Sequence, residues 1–108
     1  MPTAYKVLGQ LLPAAATLTN LYTVPASTSA VCSTLSICNQ GVKTNYRLAV
    51  RPAGAAIAAR QYIVYDAEIN ANDTVFLTLG VTLATTDVIS VYSGTATVSF
   101  HLYGSEVT

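Results

Sequence analysis

The chain has 108 residues, enough for one domain with a single hydrophobic core. Hydrophobic residues make up 52% of it and charged residues only 9%, with five basic side chains balanced by five acidic ones. The basic residues are scattered, which excludes the basic stripe of a nucleic-acid-binding protein, and no apolar run approaches the ~20 residues of a transmembrane helix.

The chain is a series of short segments rich in strand-forming residues, separated by turn signals. Segment 1–19, with a strand signal at residues 5–8, is interpreted as either an N-terminal arm or a first strand. Residues 20–108 form the predicted β-sandwich domain, and the Ala-rich stretch 55–60 within it is either one helical turn or a loose connection. Strands of this domain are expected over residues 20–24, 29–38, 46–51, 61–69, 74–79, 87–92 and 95–103.

This pattern predicts an all-β protein with little helix. Seven or eight short antiparallel strands are typical of a β-sandwich, and we expect one of jelly-roll type. In strand 29–38 we place Val31, Leu35 and Ile37 on one face, because alternate residues of a strand share a face. Gly80 is expected to end strand 74–79.

Two cysteines, Cys32 and Cys38, fall within strand 29–38. Six residues of extended chain separate them by ~20 Å, whereas a disulfide needs Cα atoms within about 7 Å. We therefore expect two free thiols, which are typical of a protein folded in the cytoplasm. Their even spacing predicts that both lie on the same face of the sheet.

No set of residues in the sequence has the pattern of a catalytic or metal site. His101 is the only histidine, and it lies in an alternating strand where a solvent-facing or interface position is expected. Asp66 and Glu68 lie on one strand face, which a solvated strand end explains. Segment 66–73 has many oxygen ligands but lacks the EF-hand pattern, so a turn is the default and calcium binding an open alternative. We predict no catalytic, cofactor-binding or metal-binding residues.

The sparse charge and the seven tyrosines point to association with other molecules. A surface with few charges gives little repulsion between molecules, and tyrosine is favoured where a ring is buried and its hydroxyl stays wet. The alternative is a rigid monomer with a Thr-, Ser- and Asn-rich surface. The predicted interface residues are Tyr5, Leu11, Leu12, Tyr22, Tyr62, Tyr65 and Tyr103.

Six segments, taken in order, resemble small virion proteins of tailed bacteriophages, including those of cyanophage-like viruses. The segments are residues 21–26, 30–39, 47–54, 71–74, 83–92 and 104–106. The resemblance implies a β-sandwich that assembles on a phage particle, often as a trimer, after synthesis in the host cytoplasm. It supplies no catalytic residues.

These observations together predict a non-enzymatic structural protein of the virion. The leading hypothesis is a capsid decoration (cement) protein, whose partners would be further copies of itself in a homotrimer and the major capsid protein. One alternative is a tail or baseplate component that contacts neighbouring tail proteins. The other is a carbohydrate- or receptor-binding module. Neither nucleic acid, membrane nor cofactor is an expected partner.

Overall fold

Eight strands and two 3₁₀ turns make up the fold. The computed structural model describes residues 2–108. The turns, Pro52–Gly54 and Ala59–Gln61, flank a loose Ala-rich connection between the fourth and fifth strands. Residues 2–108 contain no α-helix, which confirms the predicted all-β class. The strands are β1 (Thr3–Leu11), β2 (Thr19–Thr23), β3 (Ser29–Asn39), β4 (Thr44–Arg51), β5 (Tyr62–Ile69), β6 (Thr74–Leu83), β7 (Val88–Ser93) and β8 (Val98–Val107).

The strands form two antiparallel four-stranded sheets packed face to face, which confirms the predicted β-sandwich. Sheet I has the order β1-β8-β3-β6, and sheet II has the order β2-β7-β4-β5. The pairing is nested along the chain: β1 pairs with β8, β2 with β7, β3 with β6 and β4 with β5. Strands β1 and β6 are therefore the edges of sheet I, and β2 and β5 are the edges of sheet II.

The hydrophobic core lies between the two sheets and is built from alternate residues of the strands. Phe100, Leu35, Leu48 and Ile89 are fully buried there, and the ring of Phe100 packs edge-on against Tyr46 with centroids 6.5 Å apart. Each such side chain contributes about 1.5–3 kcal/mol through removal of its surface from water. The period-two pattern thus fixes which face of each strand is buried.

A β-bulge in β3 overturns part of the facing predicted for that strand. The pairing register shifts between Cys32 and Thr34 against both neighbouring strands. A bulge inserts one extra residue, so beyond it the side chains that would have pointed to one face of the sheet point to the other. Leu35 and Ile37 are buried in the core as predicted, but placing Val31 on the same face was wrong, because Val31 is exposed.

The same bulge separates the two thiols. Cys32 is fully buried in the core, whereas Cys38 is partly exposed on the opposite face of β3, so the prediction of a shared face was wrong. The prediction that the two sulfurs are not bonded to each other is confirmed.

Three segments differ by more than two residues from the bounds that the sequence pattern indicates. Strand β8 covers Val98–Val107 rather than the expected residues 95–103. Strand β6 does not end at Gly80 but continues to Leu83, because Gly80 occupies a bulge in which its φ is +63°. Such a backbone is accessible to glycine without a steric penalty. Within segment 1–19, residues 3–11 form β1, which pairs with β8 from Thr3–Val107 to Leu11–Phe100.

Candidate interaction surfaces

The outer face of sheet II contains a cation–aromatic cluster centred on Arg47. Its guanidinium lies 4.3 Å from the ring centroid of Tyr65 and 4.2 Å from that of Tyr92. Two nitrogens of the same group donate hydrogen bonds to the two carboxylate oxygens of Asp66, at 2.6 and 3.2 Å. Asn45 donates a further hydrogen bond of 2.9 Å to Asp66. These contacts hold five side chains in one geometry.

The backbone of β5 explains how Asp66 reaches this cluster. Asp66 has a φ of +55°, and the pairing of β4 with β5 shifts register around it. The hydrogen bond with Arg47 lowers the pKa of the Asp66 carboxyl and raises the pKa of the Arg47 guanidinium, so both groups are charged at neutral pH. A carboxylate paired in this way is a poor proton acceptor, and the cluster is suited to binding rather than to acid–base chemistry.

Next to the cluster lies a shallow apolar depression of about 460 Å³, lined by Ile57, Ala58, Ala59, Tyr62 and Tyr65. The rings of Tyr62 and Tyr65 pack edge to face with centroids 4.9 Å apart. Tyrosine rings fixed by such packing lose little conformational entropy when a partner covers them. The depression offers apolar contact and the phenol groups of two tyrosines, and its other three lining residues are Ile or Ala.

The predicted interface residues do not form one continuous surface. The rings of Tyr62 and Tyr65 are in contact on sheet II, and the register of β1 with β8 places Tyr5 and Tyr103 on one face of sheet I. Three side chains are exposed: Tyr5 at 85%, Tyr65 at 59% and Leu12 at 55%. Three are partly buried, namely Leu11, Tyr62 and Tyr103. The seventh, Tyr22, is buried and has no face available to a partner.

Tyr22 instead makes a buried hydrogen bond to Glu106, which continues to the half-exposed Lys6, and this Tyr22–Glu106–Lys6 network joins the two sheets. Its hydroxyl donates a 2.6 Å hydrogen bond to one carboxylate oxygen of Glu106, and Lys6 Nζ lies 2.7 Å from the other oxygen. The hydrogen bonds from Lys6 and Tyr22 lower the pKa of Glu106, while burial and the nearby carboxylate raise the pKa of Tyr22. The Tyr22–Glu106–Lys6 network connects β2, β8 and β1, so it fixes sheet II against the edge of sheet I.

Among the residues considered for catalysis, Asp66 and Glu68 line one shallow depression on sheet II, whereas His101 lies on strand β8 of sheet I. His101 is half-buried; its Nδ1 is 3.1 Å from the amide nitrogen of Gln10, and its ring stacks on Tyr103. Asp66 pairs with Arg47, while Glu68 makes an exposed ion pair with Lys43 at 3.3 Å. Within residues 2–108, no three His, Cys, Asp or Glu side chains converge in a way that could hold a metal ion.

Two features were missed at the sequence level. Arg47 was counted only as a scattered charge, and its contacts with Tyr65 and Tyr92 depend on the pairing of three strands. Phe76, 70% exposed, was not singled out, although a usable signal was present. In the alternating strand 74–79 it occupies the face opposite to Val75 and Leu77, which predicts an exposed aromatic ring.

None of the helical segments in the part of the chain from residue 2 onward is long and apolar enough to cross a membrane. Comparison of the sequence with protein-family models and with curated proteins gave no match.

Proposed function

We propose that the chain is a non-enzymatic structural protein of a tailed-bacteriophage particle that decorates the capsid through protein–protein contacts. The observation that supports this best is the combination of large exposed apolar side chains with a surface whose few charges are mostly paired internally. Tyr5, Leu12, Tyr65 and Phe76 are each more than half exposed. Side chains of this kind favour burial against a partner.

The internal pairing of charges defines how such a protein would attach. Three ion pairs, Lys6–Glu106, Lys43–Glu68 and Arg47–Asp66, occupy six of the ten charged side chains. Few charges are left to form ion pairs with a capsid. Attachment would therefore rest on apolar burial and backbone hydrogen bonds, at ~25 cal/mol per Å² of apolar surface before the entropic cost of binding.

The topology is compatible with the same proposal. Nested pairing, from the outermost strands β1 and β8 to the innermost strands β4 and β5, is what results when a long hairpin is wound into two sheets. We take this winding as the jelly-roll type expected from the sequence, an architecture used in viral capsid proteins. The ordered sequence segments that resemble phage virion proteins lie throughout this sandwich.

The direct test is to strip particles of the phage that encodes this chain, add the purified protein back, and measure occupancy across ionic strength. We expect occupancy that is restored and nearly unchanged by salt, because screening shortens the reach of charges from ~10 Å at 0.1 M to ~3 Å at 1 M and leaves apolar contacts in place. Tyr65→Ala and Tyr5→Ala should identify the contacting side. Arg60→Ala, an exposed charge outside the three ion pairs, is the matched control and should bind normally.

The outcomes separate the head from the tail. Stripped capsids left unoccupied by full-length protein would contradict decoration, and binding to tails or baseplates in the same assay would support the alternative location. Attachment that weakens steeply with salt would contradict the apolar mechanism.

A second candidate function, carbohydrate or receptor binding, is favoured by one specific observation. The depression beside Arg47 presents the edge-to-face pair Tyr62 and Tyr65 next to an ordered charged group, Asp66. Aromatic rings beside fixed polar groups are suited to sugar rings. Binding to a glycan array that is lost in Tyr65→Ala would support this function, and an array without signal would exclude it for the glycans displayed.

A further inference from the structure

The four edge strands differ sharply in how they are protected against pairing with other strands. Natural proteins protect an edge with charged residues, proline or a very short strand. Strand β1 has Lys6, β2 has only five residues, and β5 has Asp66 and Glu68. Strand β6 has ten residues with neither charge nor proline, and its one protective feature is the bulge at Gly80. Its outer backbone groups are free to pair.

The sequence of β6 is nearly a palindrome about Thr78. Residues 74–82 read Thr-Val-Phe-Leu-Thr-Leu-Gly-Val-Thr, and the reversed order differs only by exchange of Phe76 and Gly80. Two copies of a strand that pair antiparallel about a two-fold axis at Thr78 therefore place like residues opposite one another. A two-fold interface requires this kind of self-complementarity, because the same patch serves on both subunits.

We propose that two copies of the chain associate by antiparallel pairing of β6 with β6, with the two-fold axis passing between the two Thr78 residues. The single mismatch in the palindrome places the large side chain of Phe76 opposite Gly80, which has no side chain, so the two positions are sterically complementary. Phe76 is 70% exposed, and nothing lies within 4 Å of the position where a Cβ on Gly80 would be. In this register the ring of Phe76 from each copy covers the bare backbone at Gly80 of the other, an arrangement known to stabilise glycine in strands.

The pairing also covers apolar surface that the single sandwich leaves half-exposed. The inward side chains of β6, such as Leu77 and Leu79, are only partly buried although they pack against the core. A second β6 alongside makes sheet I continuous across both copies, with the ladder centred on Thr78 and interrupted at the Gly80 bulge on each side. The contact is two-fold, so the homotrimer implied by the resemblance would need a different surface. This inference does not depend on the proposed function.

The first experiment measures association of the purified chain in solution. Wild-type protein should sediment at micromolar concentration with twice the 11.3 kDa mass of the chain. Thr78 is exposed, and Thr78→Lys would set two like charges directly opposite one another, so the dissociation constant should rise by ~tenfold or more. Thr3→Lys makes the same change on exposed β1, at the other edge of sheet I, and should leave association unchanged. A monomeric wild type, or equal effects of the two lysines, would overturn the proposal.

The second experiment tests the register by cross-linking, and it does not depend on whether the Thr78→Lys variant folds. In a Cys38→Ser background, Thr78→Cys should form an intermolecular disulfide under diamide, because directly opposite residues have Cα atoms about 4.5–5.5 Å apart. Thr82→Cys is the matched control, since its two copies would lie ~26 Å apart along the paired strands. Cross-linking through residue 82 rather than 78, or through neither in a dimer, would overturn the proposed pairing.

Discussion

The hydroxyl of Tyr22 offers the sharpest test of how the two sheets are held together. It donates a 2.6 Å hydrogen bond to the Glu106 carboxylate, which also forms an ion pair with Lys6 at 2.7 Å. Tyr22→Phe removes this bond with almost no change in shape. Hydrogen bonds to charged groups contribute about 1.5–3 kcal/mol, and Lys6 still neutralises the carboxylate in the variant, so we expect a loss of about 2 kcal/mol in the free energy of unfolding.

This loss should be visible in both thermal and urea denaturation at neutral pH. For a domain of this size 1 kcal/mol corresponds to roughly 4 °C in Tm, so the midpoint should fall by about 8 °C. Tyr5→Phe is the matched control: the ring of Tyr5 is 85% exposed, and the free energy should stay within ~0.5 kcal/mol of wild type. Equal stability of the two variants would refute the assignment of this hydrogen bond as a link between the sheets.

Three further predictions concern the same interior. The folded protein holds the pKa of Glu106 below its ordinary value of 4.5, so the unfolded chain takes up this proton first as the pH falls. The free energy of unfolding should therefore decrease as the pH is lowered through and below 4.5. Urea titrations at several pH values should show a smaller decrease for Glu106→Gln. Burial raises the pKa of Cys32 to about 11, so a thiol reagent should label Cys38 in the native protein and Cys32 only after unfolding; rapid native labelling of both would contradict the burial. Gly104→Ala would put a Cβ 2.0 Å from the backbone oxygen of Val31, and it should cost ~1–3 kcal/mol or more by urea denaturation, with wild-type stability refuting the close approach.

The strand pattern could be predicted from sequence because alternation is local. Tyr46 and Leu48 alternate with Arg47, and the structure buries the first two while leaving Arg47 on the outer face. The β3 bulge could not be predicted in the same way. It arises from the register against two neighbouring strands distant in sequence, and it reverses the facing of Cys32 relative to Cys38.

The interaction surfaces could be predicted only in part. Tyr65 is an exposed strand residue as its position indicates, but its contact with Arg47 depends on the bulge at Asp66. Tyr22 could not be placed from the sequence. Its hydrogen-bond partner Glu106 is 84 residues away, so nothing in the local pattern indicates that this tyrosine donates a buried hydrogen bond.

The nested strand pairing has a consequence for how the chain reaches its native state. Strand β8 is the last of the eight in chain order, yet it lies in the interior of sheet I between β1 and β3. On the ribosome, β1 and β3 therefore have no shared neighbour until residues 98–107 have been synthesised. Loop closure over nearly the whole chain makes folding slow, and apolar strands stay uncovered meanwhile. A nascent chain that lacks β8 should consequently be a substrate for chaperones, and emergence of residues 98–107 from the ribosome should be the step that permits folding.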